Sequence, residues 1–336
     1  MIPVIDLHCD TIMALYQNKD KELKSNDLQI DINKLKKGNY LAQVFAMFVY
    51  LKGNDNPFKT CDEMIDLFYD ELEKNKEEIN IALSYEQIIN NQKNGLINAI
   101  LSIEEGGVID GVLSNVNYFY QRGVRMICLN WNFYNGIGYP NFKMSEKPDF
   151  TMPNEEKGLT AFGIDVVKRM EKLGMIIDIS HLSDKGFWDV YNNTTKPFIA
   201  SHSNSRSICN HVRNLKDDMI RAISERRGVI GLNFCTNFIN SEADITYTKD
   251  IVKHALHIIK VGGIDCLALG TDFDGIGRTT EIDNAGEMHK LYQEFINAGL
   301  SDEDIEKIFY RNFLRVFKEV CGWLIIIKIL RNFYLR

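Results

Sequence analysis

The chain has 336 residues, of which 45% are hydrophobic and 25% charged, with a formal net charge of −7. That length can bury a large core, as one big α/β domain or two ordinary ones, and the composition is that of a soluble globular protein. The mild acidity and the lack of a basic cluster argue against nucleic acid as a partner.

The first apolar run, "IPVID" (2–6), leads directly into "LHCDT". Side chains alternate faces in an extended segment, so His8 and Asp10 share one face while Leu7 and Cys9 take the other. Two ligand-type side chains at the end of a strand would suit a metal. A His-x-acidic triplet is nevertheless expected about once by composition alone, and the pair could equally cap a turn and the next helix. Further strand patterns follow at 42–49, 99–104, 125–130, 175–180, 197–201, 228–234 and 266–271, with "INIAL" (79–83) as an extra short strand. They are rich in Ile, Val, Leu and Phe, as parallel strands covered on both faces require. Amphipathic helical patterns lie between them at 60–76, 113–122, 159–173, 184–192, 216–226, 247–261 and 285–298. Eight strands alternating with helices predict an α/β fold, a single (β/α)8 TIM-like barrel over residues 1–320. A doubly wound sheet is the alternative. It would lean on a glycine-rich phosphate loop after the first strand, and "DLHCDT" has no glycine.

The longest irregular stretch, 132–158, follows the fourth strand pattern and holds three of the six prolines. A long loop at that end of a barrel is expected to form part of a binding site. Residues 321–336 form an apolar and basic tail of unknown role. Its "WLIIIKIL" (323–330) is far short of the ~20 residues that span a bilayer, and reads as a last helix or strand packed on the domain. A membrane-surface tail with Lys328, Arg331 and Arg336 as its basic side is the alternative. Seven scattered cysteines without a C-x-x-C pair point to reduced thiols and a cytoplasmic location. No basic leader precedes the strand pattern at Ile2, so no signal peptide is expected.

The strand ends decide between these readings of His8 and Asp10. "SIEEGG" offers Glu104 and Glu105, "DISH" offers Asp178 and His181, "SHS" offers His202, and "GTDFDG" offers Asp272 and Asp274. In a barrel all of these meet at the C-terminal rim, where active sites of this fold lie. His254 and His257 sit instead in a basic and apolar helical pattern and read as structural. Buried carboxylates are costly unless paired or bound to a cation. Three imidazoles with two or three carboxylates exceed one tetrahedral zinc site. They fit two cations about 3.5–4 Å apart that share a carboxylate and a water. That constellation suits metal-assisted hydrolysis, with a nearby aspartate handling protons.

The motifs "DLHCDT", "SIEEGG", "DISHLS", "SHSNSR", "HVRNL" with "DDMI", "GLNF" and "GTDFDGI" together resemble the membrane dipeptidase (renal dipeptidase) family, zinc peptidases of the amidohydrolase superfamily. They run in the family's order from residue 5 to about residue 320. The resemblance implies that His8 and Asp10 bind the first of two Zn2+ ions, that Glu104 bridges both, and that His181 and His202 bind the second. It implies that a hydroxide between the metals attacks a dipeptide, that Asp272 shuttles the proton, and that Arg213 holds the substrate carboxylate. Trp131 stands where family members carry a histidine near the scissile bond, and Phe238 where they carry a tyrosine near the substrate carboxylate. Trp131 and Asp274 are taken as further substrate-binding positions. In the absence of that histidine, oxyanion stabilisation would rest on zinc, Asn130 or Asn132. A homodimer is also implied, with no membrane span.

The doubled glutamate needs a choice, because adjacent residues on a strand face opposite ways. A match through "ID" at 109–110 places the ligand at Glu104 and turns Glu105 away. Two other functions are weighed. A related hydrolase acting on a cyclic amide or ester would usually begin with His-x-His and place a lysine at the end of strand four; this chain has His-x-Asp and "VRMICLN". A barrel reduced to a binding role would lack ligands, and none is missing.

Overall fold

In the computed structural model, which describes residues 2–278 and 280–322, the strand patterns become a ring of parallel strands. Strands β1 (Val4–Asp6), β2 (Tyr40–Phe48), β3 (Ile79–Ile81), β4 (Ile97–Glu104), β5 (Val124–Cys128), β6 (Ile176–Asp178), β7 (Ile230–Leu232) and β8 (Leu267–Leu269) share one sheet. The order is β6-β5-β4-β2-β1-β8-β7. The extra strand β3 pairs with the start of β4, Ile79 opposite Ile97, below the point where β5 joins at Leu101.

The expected strand at 197–201 is reduced to two bridges, Ile199 to Asp178 and Ala200 to Ile230. Its backbone still bonds to both neighbours: Ile199 N–H donates to Ile177 O at 2.9 Å and Ala200 N–H to Val229 O at 3.0 Å. These bonds close the eighth position between β6 and β7, giving the (β/α)8 barrel. The shortening has a physical cause. Pro197 has no N–H to donate, and the Ser201 N–H goes to the Asp178 carboxylate, 2.9 Å away, instead of to a strand. Gly231 and Gly270 let this segment approach closely, since a Cβ at either would collide with the Ser201 carbonyl.

The helices are α1 (Thr11–Gln17), α2 (Ile32–Lys37), α3 (Pro57–Lys74), α4 (Tyr85–Lys93), α5 (Ser114–Gln121), α6 (Ala161–Leu173), α7 (Asp184–Asn193), α8 (Asp217–Glu225), α9 (Thr236–Ile239), α10 (Thr248–Gly262), α11 (His289–Asn297), α12 (Asp302–Glu306) and α13 (Asn312–Cys321). The seven long amphipathic patterns appear within a few residues of their expected places. Helices α1, α2, α4, α9, α12 and α13 do not correspond to any of them. Helix α4 begins on Ser84, whose hydroxyl accepts from Gln87 N–H, while the Gln87 amide oxygen accepts from Leu83 N–H. Local caps of this kind start a helix without a long apolar stripe.

Helix α13 shapes the lower end of the molecule. Its Phe313, Val316, Phe317 and Val320 pack with Ile5, Ala42, Val44, Ile100, Met126, Ile176 and Ala268 from inside the ring. The barrel lumen is thus a packed apolar core closed at its N-terminal end, and the C-terminal rim is left for chemistry. The tail expected to pack at 323–330 lies outside the described residues.

Candidate metal centre

The strands deliver the candidate ligands to that rim and then turn sharply. Glu105, His181, Asp272 and Asp274 all take positive φ values, 86°, 67°, 65° and 66°. Such left-handed backbone is uncommon for non-glycine residues and is held only where the surroundings compel it. Two buried carboxylates supply part of that compulsion. Asp6 accepts from Thr271 N–H at 2.8 Å and Thr271 Oγ1 at 2.7 Å, just before Asp272. Asp178 accepts from Ser180 N–H at 3.0 Å and from Ser201, just before His181 and His202.

Glu104 lies at the middle of the cluster. Its Oε2 is 3.2 Å from His8 Nε2, and its Oε1 is 3.1 Å from His181 Nε2 and 3.5 Å from His202 Nε2. On the other side of His8 lie Asp10 Oδ2 at 3.7 Å and Asp272 Oδ1 at 3.9 Å. Asp10 occupies the N-cap position of α1 yet makes no capping bond with its side chain. Its Oδ1 and His8 Nε2 are buried without a hydrogen-bond partner, which removes the capping explanation for Asp10.

The ring nitrogens show what the cluster needs. His181 Nδ1 lies 2.9 Å from Asn132 Oδ1, an oxygen that can only accept, so Nδ1 carries the proton. Ser201 Oγ donates to Asp178 and therefore accepts from His202 Nδ1 at 2.7 Å. Burial pushes both imidazoles well below the ordinary histidine range, with repulsion from Arg213 and His8 added. Each ring is thus neutral with its lone pair on Nε2, and these two atoms face each other at 3.1 Å. Two lone pairs and a carboxylate oxygen converging in a buried space want a cation between them. The donor set of imidazole nitrogens and carboxylate oxygens fits zinc or a similar divalent ion. His8 behaves differently: burial lowers its affinity for a proton, but Glu104 and Asp10 outweigh this and raise its pKa well above the usual value. Burial raises Glu104 to about 7 and Asp272 to about 6. These are carboxylates held at a site built for positive charge.

Around this cluster, Asp272 Oδ2 accepts from Asn233 Nδ2 at 2.9 Å. Arg213 is buried; its Nη2 donates to His202 O at 2.9 Å and its Nε has no partner. Among the described residues it has no carboxylate within ion-pair distance. Its guanidinium lies 5.2 Å over the Phe238 ring. Trp131 sits with its ring centroid 6.0 Å from that of His181. Asp274 differs from expectation: its oxygens accept from Gln29 N–H and Thr11 Oγ1, both at 2.6 Å, and from Ile30 N–H at 3.3 Å. With both oxygens so engaged, Asp274 anchors the 28–30 segment and is not free to meet a substrate. Glu105 faces away from Glu104, accepting from Gly107 N–H at 2.8 Å, Trp131 N–H at 3.1 Å and the Asn135 amide. Asn132, an expected oxyanion donor, directs its amide oxygen to His181, and Asn130 donates to Trp131 O. His254 is structural, bonded to Ser205 N–H and Ile239 O.

Sequence reasoning gave Asn233, Ser201 and Asp6 no role. The available signals were the asparagine inside "GLNF", the serine before His202 in "ASHS", and the aspartate two places before His8.

Comparison with known proteins decides the family. The model of the membrane dipeptidase family, peptidase family M19, matches residues 1–322. The chain belongs to this family. It is a metallo-dipeptidase by family and a hydrolase. A protein of the pqqA 5′ region of Klebsiella pneumoniae is 35% identical over 246 residues, 72% of this chain and 89% of that one. An uncharacterized dipeptidase of Schizosaccharomyces pombe is 29% identical over 303 residues, 86% of this chain and 71% of its own length. Among solved structures, a metallopeptidase from Rhodobacter sphaeroides liganded with a phosphinate mimic of L-Ala-D-Ala superposes with a TM-score of 0.88 at 22% identity. That match covers 95% of this chain and 99% of the other, and shows the shared fold. M19 metallopeptidases use metal ions, and two groups that could hold one, His8–Glu104–His202 and His8–Asp10–Asp272, occur together at this rim.

Proposed function

We propose that this chain hydrolyses the peptide bond of dipeptides with two divalent cations, Zn2+ by the donor set, held by His8, Asp10, Glu104, His181 and His202. The observation that carries this reading is the division of Glu104. One oxygen faces His8 and the other faces His181 and His202, which is how a carboxylate shared by two cations would sit. When bound, the cations supply Lewis acidity at the scissile carbonyl and acidify the attacking water.

The protein's own groups supply the rest. Asp272 receives the water's proton at Oδ1 and hands it to the leaving amine. Asn233 holds its other oxygen, so the carboxylate is fixed with one oxygen free to take and return a proton. Arg213 clamps the substrate carboxylate: a buried guanidinium with an unpartnered Nε is costly until an anion arrives. Asn132 and the Asp178–Ser201 pair fix the tautomers of His181 and His202, so that both present Nε2 to the metals.

The seven unpaired cysteines support a cytoplasmic location, and among the described residues no helix is long and apolar enough to cross a membrane. The resemblance to the family supports a homodimer. The test is a panel of dipeptides with L,L and L,D stereochemistry, assayed with the metal-loaded protein and after chelation. Hydrolysis of some members, lost on chelation and restored by zinc, is expected. No turnover of any member by fully loaded protein would contradict the reading.

A further inference from the structure

Four aromatic side chains crowd the rim beside the metal centre. Trp131 has ring centroids 5.0 Å from Phe48, 5.9 Å from Tyr50 and 5.3 Å from Phe133, and Tyr50 lies 5.2 Å from Phe133. None is fully buried, and Tyr50 is 49% exposed. Aromatic surface left open in this way, one ring away from a metal-ligand histidine, calls for an apolar occupant. The wall is also held in place. The Trp131 N–H donates to Glu105 and its carbonyl accepts from Asn130 Nδ2 at 2.8 Å, so the indole is presented by a backbone fixed on both sides. A preorganised surface loses little entropy on binding.

The order of strands around the ring gives the wall its meaning. Phe48 and Tyr50 follow from β2, and Trp131 and Phe133 follow β5; these strands flank β4, which carries Glu104. Arg213 and Phe238 belong to the opposite arc, beside the 199–200 segment and β7. The metal ligands lie between the two arcs. A dipeptide whose carboxylate is held by Arg213 and whose carbonyl lies over the ligands must direct its N-terminal residue toward the aromatic arc.

We propose that Phe48, Tyr50, Trp131 and Phe133 form a specificity wall for the side chain of the substrate's N-terminal residue, selecting dipeptides that begin with a large apolar or aromatic residue. This rests on the dipeptidase reading and adds the substrate class to it. The wall receives one apolar side chain, and Trp131 is its centre because it touches both Tyr50 and Phe133 and lies nearest His181. Histidine at position 131 would offer a polar ring there instead.

The experiment compares Phe-Gly, Leu-Gly, Gly-Gly and Gly-Phe as substrates of the metal-loaded protein and of the Trp131→Ala and Tyr50→Ala variants. The unsubstituted protein should prefer Phe-Gly to Gly-Gly by about tenfold or more in kcat/KM, the scale of a filled apolar pocket. Trp131→Ala should collapse that ratio, and Tyr50→Ala, at a half-exposed position that tolerates truncation, should reduce it in the same direction. The ratio of Gly-Phe to Gly-Gly should hold in both variants. An unchanged Phe-Gly to Gly-Gly ratio in both variants would overturn the proposal, as would an equal collapse for Gly-Phe, which would place the wall under the C-terminal residue. Failure of the unsubstituted protein on all four substrates with metals bound would instead overturn the dipeptidase reading beneath it.

Discussion

At the N-terminal end of the barrel, Phe313, Val316, Phe317 and Val320 of α13 close the lumen by apolar contact. At the C-terminal end the same strands stop on His8, Glu104, His181, His202 and Asp272, and polar atoms of His8, Asp10 and Arg213 are buried without partners. The lower end follows the rules that maximise stability: dense apolar packing and few polar atoms inside. The upper end departs from them, with positive φ at four carboxylate or histidine positions and like-charged carboxylates close together. Such a rim costs stability that a bound cation would restore, so the contrast locates the function.

The largest effect should come from the upper end. Glu104→Gln removes the oxygen shared by both halves of the cluster, so turnover should fall by at least the order of a thousandfold, with metal lost and the fold kept. Glu105→Gln provides the contrast. It should keep both metals, but it turns an amide donor toward Trp131 N–H or Asn135 and should cost about 1–3 kcal/mol of stability. Metal analysis and thermal melts of the two variants check this. A metal-free Glu105→Gln beside an active Glu104→Gln would exchange their assignments.

The lower end should give the opposite pattern. Phe317→Ala leaves a cavity under the barrel and should destabilise the fold by about 3–5 kcal/mol, seen as a lower denaturant midpoint. Metal content and kcat of the folded protein should stay near those of the unsubstituted chain. Loss of metal without loss of stability would mean that the two ends are not separable.

How much of this was legible beforehand differs between the ends in the same way. The upper ligands could be read from the sequence because each follows an apolar run, and a barrel gathers such positions at one rim. Alternation along a strand said that only one of Glu104 and Glu105 could face the site, and the resemblance to the family chose Glu104. The closing helix α13 was not read: its Asn312–Cys321 stretch carries apolar residues at helical spacing, but nothing local says that the stripe covers the end of a barrel. The strand at 197–201 was read too long, because burial of Phe198, Ile199 and Ala200 resembles pairing in sequence while Asp178 captures the next N–H. The positive φ at His181, three residues after Asp178, left no pattern in the sequence, and that at Asp272 was invisible because Thr271 beside it is held by Asp6, far away in sequence. The same distance hid the true duty of Asp274, whose partners are Thr11, Gln29 and Ile30.

The supporting carboxylate Asp178 sharpens the comparison at smaller scale. Asp178→Asn removes the acceptor that orders Ser201 and, through it, the tautomer of His202. Metal affinity should weaken by about 10–100-fold, measured by competition with a chromophoric chelator, while melting of the apo protein shifts little by comparison. Unchanged affinity would remove the relay. The smallest effect expected is that of Arg213→Lys, which keeps the charge and loses the planar fork. Both metals should stay, and KM for dipeptides should rise by about tenfold with kcat less affected. A KM equal to that of the unsubstituted protein would take Arg213 out of the substrate site.

The most direct measurement is the metal content of fully active protein, counted by elemental analysis alongside its dipeptidase rate during stepwise loading. The division of Glu104 between His8 on one side and His181 with His202 on the other predicts two divalent ions per chain, with full activity reached only at the second. Full activity at one ion per chain or fewer would contradict it.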